Sequence, residues 1–363
     1  MTKPASPKKS AARKGAEPVP ASAKKSAYAA AGVDIDEMDR GLAAIKRAVA
    51  STKTAGVLSD IGRFGGLFQS PGRDAILVAS TDGVGTKLKV AHMAGRHGSV
   101  GQDLVNHCVN DILTQGARPL FFLDYVGTDK LDASTFAEVV KGLCKACREN
   151  GCALLGGETA EMPGLYPKGE YDLVGTIVGV VERKRLVTGE TIRKGDALVG
   201  LPSSGLQTNG FSLARKVLFG TLGLGVDDPF PGSKKSVADT LLAVHTSFLR
   251  PVEAVWEAGV KIHGMAHITG GGLVDNVPRM LPKTLDAVIM RQLWNVPNLF
   301  RVLQDAGDID PMEMFRVFNM GIGYVLDVRA RDLGRTMDAL EGAGARPCVI
   351  GTVDEGTGVV QLV

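Results

Sequence analysis

Four acidic side chains stand where oxygen chemistry needs them. Asp82 follows the apolar run Ala75–Ser80 inside the loop Thr81-Asp-Gly-Val-Gly-Thr-Lys87, and Glu158 follows Gly156-Gly157 after a second short run. Asp103 and Asp111 are eight residues apart in a stretch of helical periodicity, which places them two turns apart on one helix face. Any one of these carboxylates reads as a solvated surface group. Several set beside glycine at strand or helix ends suit Mg²⁺, which takes a few carboxylate oxygens together with phosphate oxygens and water. Asp82, Asp103, Asp111 and Glu158 are therefore the candidate metal ligands.

His107 completes a row with Asp103 and Asp111 at i, i+4, i+8. No further histidine partners it in the sequence pattern, so it reads as a helix-surface or satisfied imidazole and is left out of the site.

Two glycine-rich loops in the second half could cradle phosphate. Pro202-Ser-Ser-Gly-Leu-Gln-Thr-Asn-Gly210 joins a predicted strand to a predicted helix, and His267-Ile-Thr-Gly-Gly-Gly272 enters the next segment in the same way. Each is equally readable as a tight turn with no ligand. The chain has no G-x-x-x-x-G-K-[ST], no G-x-G-x-x-G after a strand and no G-x-S-x-G elbow, so a P-loop, a dinucleotide fold and an elbow-type serine hydrolase are not signalled.

The elements that must hold these residues follow from periodicity. Ala75–Ser80, Phe121–Val126 and Cys152–Leu155 read as buried strands, and Asp172–Val180 alternates as a sheet strand does. Gln102–Gln115 reads as a helix closed by Gly116, and Thr135-x-x-Glu138 resembles a capping box for a helix ending at Asn150-Gly151. Polar composition around Glu182–Asp196 marks a boundary, giving an N-terminal domain over 27–190 and a C-terminal domain over 191–363. The second half is expected to hold a strand Ala197–Leu201, a helix Phe211–Phe219 opened by Asn209, a helix near Leu241–Ala258, a strand near Gly321–Val328, a helix Asp332–Leu340 and a strand Cys348–Val353. Order is expected from Tyr28, with a first helix through Met38, Leu42, Ile45 and Val49. Strands and helices alternate without a clean βαβ series, so the fold class is α/β of the α+β type: two domains with mixed sheets flanked by helices.

Composition narrows the function classes. At 363 residues and 44% hydrophobic, the chain can bury two cores, and 46 glycines point to a loop-built site. The net charge of +3 conceals a basic segment, residues 1–25, carrying about +6 and leaving about −3 on the body. Residues 1–26 read as a disordered tail, with a transit peptide and nucleic-acid contact as rivals; lysine outnumbers arginine six to one there, against the transit reading. An acidic body with 5% aromatics does not suit nucleic acid. No apolar run of about 18 residues exists, so no membrane span is expected. Five cysteines without a paired framework, Cys144-x-x-Cys147 included, read as reduced thiols and point to the cytoplasm.

At STDGVGTKLKVA (80–91), GQDLVNHCVNDILTQGARPLFFLDYVG (101–127), GGETAEMPGLY (156–166), SSGLQTNGFSLAR (203–215) and HITGGGLVDNVPRMLP (267–282), with AGVDIDEMD (31–39) before them, the chain resembles the phosphoribosylformylglycinamidine cyclo-ligase family. Six motifs in fixed order span the chain from about Tyr28 to its end. The resemblance implies a reaction of purine biosynthesis: formylglycinamidine ribonucleotide and ATP give aminoimidazole ribonucleotide, ADP and phosphate. The amide oxygen takes the γ-phosphoryl group and leaves as phosphate when the amidine nitrogen attacks.

The same resemblance implies ATP and Mg²⁺ as cofactors and a homodimer whose N-terminal sheets join in a barrel. It assigns Asp82, Gly83, Gly85, Thr86, Asn110, Gly156, Gly157 and Glu158 to the nucleotide, and makes Lys87 and Asp103 catalytic, with Lys87 facing the transferred phosphate. Asp111 supports the metal. Ser204, Asn209, Gly210, Thr269, Gly270, Gly271 and Gly272 are given to the substrate's ribose phosphate. Gln207 departs from the family's histidine, and an amide can hydrogen-bond there but cannot titrate. Thiamine-monophosphate kinase and selenophosphate synthetase are the rivals within the same architecture; the second needs a reactive cysteine near its N-terminus, and the first cysteine here is Cys108. A silent scaffold would show gaps in the acidic set, and none is missing.

Overall fold

A computed structural model describes Leu58, residues 66–70, residue 72 and residues 74–363. The basic tail, the segment from Tyr28, the helix through Met38–Val49 and residues 61–65 lie outside the described residues.

Two mixed sheets organise the rest. The first holds β1 (Gly66–Gln69), β2 (Ala75–Gly83), β3 (Arg118–Thr128), β4 (Ala153–Glu161) and β5 (Tyr171–Glu182) in the order β1-β2-β5-β3-β4, antiparallel except for the parallel β3/β4 pair. Its inner face is set by alternation: Ile76 and Val78 on β2 and Leu173, Ile177 and Val181 on β5 are buried while their neighbours are more open.

Against that face lie α2 (Val100–Leu113) and α3 (Ala133–Glu149), while α1 (Lys87–Ala94) packs on α2 and on the second half of the chain. Every residue of α2 except Gln102 is buried, because the sheet covers one side of the helix and the second half of the chain covers another. α2 and α3 touch backbone to backbone: a Cβ on Gly101 would stand 2.2 Å from the Val139 carbonyl oxygen.

The second sheet follows the order β11-β8-β10-β6-β9-β7, from β6 (Ala197–Pro202), β7 (Ile262–His267), β8 (Leu285–Ile289), β9 (Ile322–Val328), β10 (Cys348–Glu355) and β11 (Val360–Leu362). β7, at the edge of the sheet, and β9 beside it are buried throughout, as strands covered on both faces must be. Around them lie α4 (Phe211–Arg215), α5 (Val237–Leu241), α6 (Leu249–Glu257), α7 (Gly272–Asn276), α8 (Asn298–Gly307), α9 (Pro311–Val317) and α10 (Leu333–Gly342). The chain thus has two α+β halves with mixed sheets flanked by helices.

Several expected boundaries move. β2 runs on to Gly83, so Asp82 ends a strand rather than sitting in a free loop, and Glu158 lies within β4 rather than beyond it. α3 starts a turn earlier than the Thr135/Glu138 pattern suggests: Asp132 is the N-cap, accepting from the Thr135 amide at 2.8 Å. The residue preceding α4 is Gly210 in a left-handed conformation, not Asn209, and the helix passes into a π-helical turn at Lys216–Thr221. The single helix expected near 241–258 is two helices, α5 and α6.

Candidate active site

A polar stripe on α2 joins the halves. Asp103, Asn106, His107, Asn110 and Asp111 recur at helical spacing, and all five face the second half. Asp103 Oδ1 accepts from the His245 amide at 2.7 Å, Asn106 donates to the His245 carbonyl at 2.7 Å, and Asn110 donates to Thr246 O at 2.8 Å while accepting from the Phe248 amide at 2.9 Å. The segment His245–Phe248 is therefore bonded to α2 through its backbone.

Lys87 is wholly buried. Its ammonium stands 2.7 Å from Asp103 Oδ2 and donates to the carbonyls of Ala243 (2.8 Å) and Gln207 (3.2 Å). Burial lowers the Lys87 pKa and raises that of Asp103, each opposed by the other's charge. The resemblance puts Lys87 at the transferred phosphate and Asp103 at the metal; the structure places them as a closed pair whose oxygens and protons are already taken up.

A second chain of contacts begins at the surface. Asp82, with a 40% exposed side chain, meets His107 Nε2 at 2.6 Å, and His107 Nδ1 meets the Thr208 hydroxyl at 2.5 Å. Thr208 reaches His245 Nδ1 (3.2 Å), His245 Nε2 faces His267 Nε2 (3.1 Å), and His267 Nδ1 meets Asp111 Oδ1 (2.8 Å). Asp111 Oδ2 also accepts from Ser80 at 3.0 Å.

Burial pulls the His107 imidazole down, yet Asp82, with Asp111 and Asp103, outweighs it and pushes the ring up to about 9. Burial holds His245 well below the usual histidine range and lowers His267 as well. One charge therefore sits in the imidazole cluster, on His107. The Asp82 carboxyl is held below its usual range because the His107 charge overcomes the effect of burial.

His107 is thus a satisfied, buried imidazole, with histidine neighbours that the sequence pattern alone did not reveal. Its i, i+4 spacing with Asp103 and Asp111 was the available signal; His245 lies on no motif and gave none.

The structure does not bring Glu158 to this cluster. It stands level with Tyr125 in the β3/β4 pair, exposed, on the sheet face turned away from α2, and Gly156 and Gly157 are exposed beside it. Gly83, Gly85 and Thr86 do line the seam, and the Thr86 hydroxyl meets Ser212 of the second half at 3.1 Å. A cavity of about 250 Å³ opens beside Gly85 and Thr86, walled by Lys89, Tyr166, Glu170 and Asp172.

The two glycine loops meet each other. A Cβ on Gly270 would touch only Asn209 Oδ1, at 3.5 Å, whereas one on Gly272, at φ +57°, would stand 2.0 Å from the Phe315 carbonyl. Gly210 is equally closed, against the Phe318 ring. Asn276, which sequence reading passed over, donates to the carbonyls of Thr269, Gly270 and Gly272 and so fixes the loop. Thr269 leans on the same Asn276 at 3.2 Å, and Gly271 is left-handed at φ +96°. Ser204 donates to Val244 O at 2.6 Å.

A half-exposed carboxylate on one mixed sheet, set near glycine loops from another with a buried polar helix between, belongs to a two-domain α+β protein whose halves meet along a polar seam. Solved structures share the architecture. Thiamine-monophosphate kinase from Stenotrophomonas maltophilia K279a superposes with a TM-score of 0.60 at 18% identity, covering 88% of this chain and 95% of its own. Hydrogenase maturation protein HypE in complex with ATP superposes with a TM-score of 0.60 at 21% identity, covering 86% and 85%.

The chain belongs to the AIR synthase related protein family, whose N-terminal domain matches residues 53–181 and whose C-terminal domain matches residues 193–363. Among curated relatives, the phosphoribosylformylglycinamidine cyclo-ligase of Geobacter metallireducens is 49% identical over 94% of this chain and 99% of its own length. That of Thermoanaerobacter sp. is 48% identical over 92% and 99%.

Proposed function

We propose that this chain closes an imidazole ring, converting formylglycinamidine ribonucleotide and ATP into aminoimidazole ribonucleotide, ADP and phosphate in purine biosynthesis. The observation that carries the reading is the end-to-end match to relatives of that one name at 46–49% identity. The ATP-bound neighbour of the same fold is consistent with nucleotide use.

The chemistry asks for positioning more than for a nucleophile. An amide oxygen leaves poorly; once it carries the γ-phosphoryl group, attack by the amidine nitrogen on the same carbon expels it as phosphate and releases one proton. Catalysis of such a transfer is alignment and charge neutralisation in a site shielded from water.

The residues fit Mg²⁺ at one end only. Asp82 offers a partly exposed carboxylate kept ionised by His107, and Asp111 stands behind it. Asp103, engaged by Lys87 and the His245 amide, and Glu158, on the far face, offer no oxygen there. When bound, the ion neutralises triphosphate charge. Gly83, Gly85 and Thr86 give backbone room for phosphates, with Asn110 fixing the opposite wall. Ser204, Asn209, Gly210 and Thr269–Gly272 take the substrate's ribose phosphate. Lys87 and Asp103 act by locking the loop after β2 to the second half.

A homodimer through the first sheet accounts for its outer face, where Phe68, Leu120, Leu123 and Leu155 are exposed at 47, 43, 38 and 64%. Joined edge to edge in a barrel, the sheets of two protomers cover that face. Among the described residues no helix is long and apolar enough to cross a membrane, and all five cysteines are free, which supports a reducing compartment such as the cytoplasm.

The test is direct. Purified protein with formylglycinamidine ribonucleotide, ATP and Mg²⁺ yields ADP and a diazotisable aminoimidazole in equal amounts. ATP turnover without that substrate, or with thiamine phosphate in its place, overturns the assignment.

A further inference from the structure

A second cavity lies away from this site. It measures about 580 Å³ and lies at the other end of the seam, where β2 and β7 begin rather than where they end. His263 lines it and His267 lies in the imidazole cluster; four residues of strand separate them, about 13 Å.

Its walls carry a charge balance unlike that of the acidic body. Arg118, Lys184, Arg185 and Lys261 line it, against one carboxylate, Glu182. Glu182 is shared by Lys184 at 3.1 Å and Arg185 at 3.8 Å, and Arg118 pairs with Glu253 at 2.9 Å. Lys261 forms no ion pair among the described residues. Between these cations the lining is apolar, with Val180, Val187 and a half-buried indole, Trp256. His263, whose imidazole is kept low by burial and then by Arg329, closes the inner wall beside Thr191, 2.7 Å away.

We infer that this cleft is a second ligand site, for a planar aromatic ring bearing a phosphate, the chemistry of a nucleoside monophosphate. Trp256 offers a π-face for the ring, and the unpaired Lys261 with the half-compensated Lys184 and Arg185 offers the charge for the anion. The volume lies within the range of small-molecule sites and far exceeds what inorganic phosphate alone fills. The inference is independent of the ring-closing assignment, because no residue of the cleft belongs to that site.

The 363-residue chain contains two tryptophans, so Trp294→Phe leaves Trp256 as the sole indole reporter. Titrating this variant with AMP quenches its fluorescence saturably, with adenosine and inorganic phosphate each at least tenfold weaker. Lys261→Glu in the same background weakens AMP at least tenfold while leaving ring-closing turnover at saturating substrate unchanged. Three results each overturn the proposal: no saturable quenching at millimolar AMP, quenching that survives Lys261→Glu, or phosphate alone matching AMP. Isothermal titration of Trp256→Ala gives a second reading, since AMP heat undiminished there places the ligand elsewhere.

Discussion

Lys87 Nζ and Asp103 Oδ2 meet at 2.7 Å, and neither side chain reaches solvent. A buried pair of this kind is far more costly to break than to remove. Asp103→Asn leaves an uncompensated ammonium and is expected to lower unfolding free energy by about 3–5 kcal/mol in urea titration. Lys87→Met combined with Asp103→Leu recovers most of that loss. If the single variant unfolds at the wild-type urea concentration, the pair is not holding the halves together.

Protonation of His107 ties stability to pH. The ring is raised from the ordinary histidine range to about 9, so its contribution is fully present below about 6.5 and disappears as pH rises through 9. The whole contribution is on the order of 3 kcal/mol. Asp82→Asn removes the carboxylate that raises the ring. It is expected to flatten unfolding free energy between pH 6.5 and 9, to return the His107 NMR titration toward its ordinary value, and to cut turnover at least ~100-fold. An unshifted His107 resonance contradicts this electrostatic account.

The two ends of the glycine loop differ in what a methyl group meets. Gly270→Ala has only Asn209 Oδ1 at 3.5 Å and is expected to fold normally yet raise KM about tenfold or more, a loss of about 1.4 kcal/mol in binding. Gly272→Ala drives a Cβ to 2.0 Å from the Phe315 carbonyl at positive φ and is expected to lower Tm by several degrees. Equal effects on Tm from the two substitutions contradict the packing described.

Asp327, buried on β9, has no hydrogen-bond partner for either carboxyl oxygen among the described residues. Burial, then the Asp196 carboxylate, pushes it up to about 9. The unfolded chain ionises near 3.8 and the folded one only near 9, so this group makes stability fall with pH across that interval. Asp327→Asn keeps the shape without the ionisation. It is expected to gain about 1–3 kcal/mol at pH 8 and nothing at pH 4, by thermal or urea unfolding. A loss at pH 8 contradicts the assignment.

Much of this was legible from residue types. Two mixed sheets, the strand before Asp82, the helix carrying Asp103 and Asp111 and both glycine loops follow from periodicity and turn chemistry. Side-chain partnership was not. Lys87 reads as an available cation in its glycine-rich loop, but tertiary packing seals it against Asp103 and two carbonyls. Glu158 follows two glycines as a ligand might, yet strand alternation turns it to the opposite face, and a one-residue change of parity is invisible without the register. His245 sits in no motif, and only the folded chain puts its ring beside His107 and His267, at 5.1 Å from each. The helix expected near 241–258 broke because Ala243–Phe248 is drawn out to bond α2 and Lys87, a tertiary demand that local propensity does not carry.

In the proposed reaction the amide oxygen is phosphorylated before the ring closes. Formylglycinamidine ribonucleotide labelled with ¹⁸O at the formyl oxygen, turned over by this protein with ATP, tests it in one mass spectrum. Each inorganic phosphate released is expected to carry one ¹⁸O atom. Label in water, with unlabelled phosphate, contradicts it.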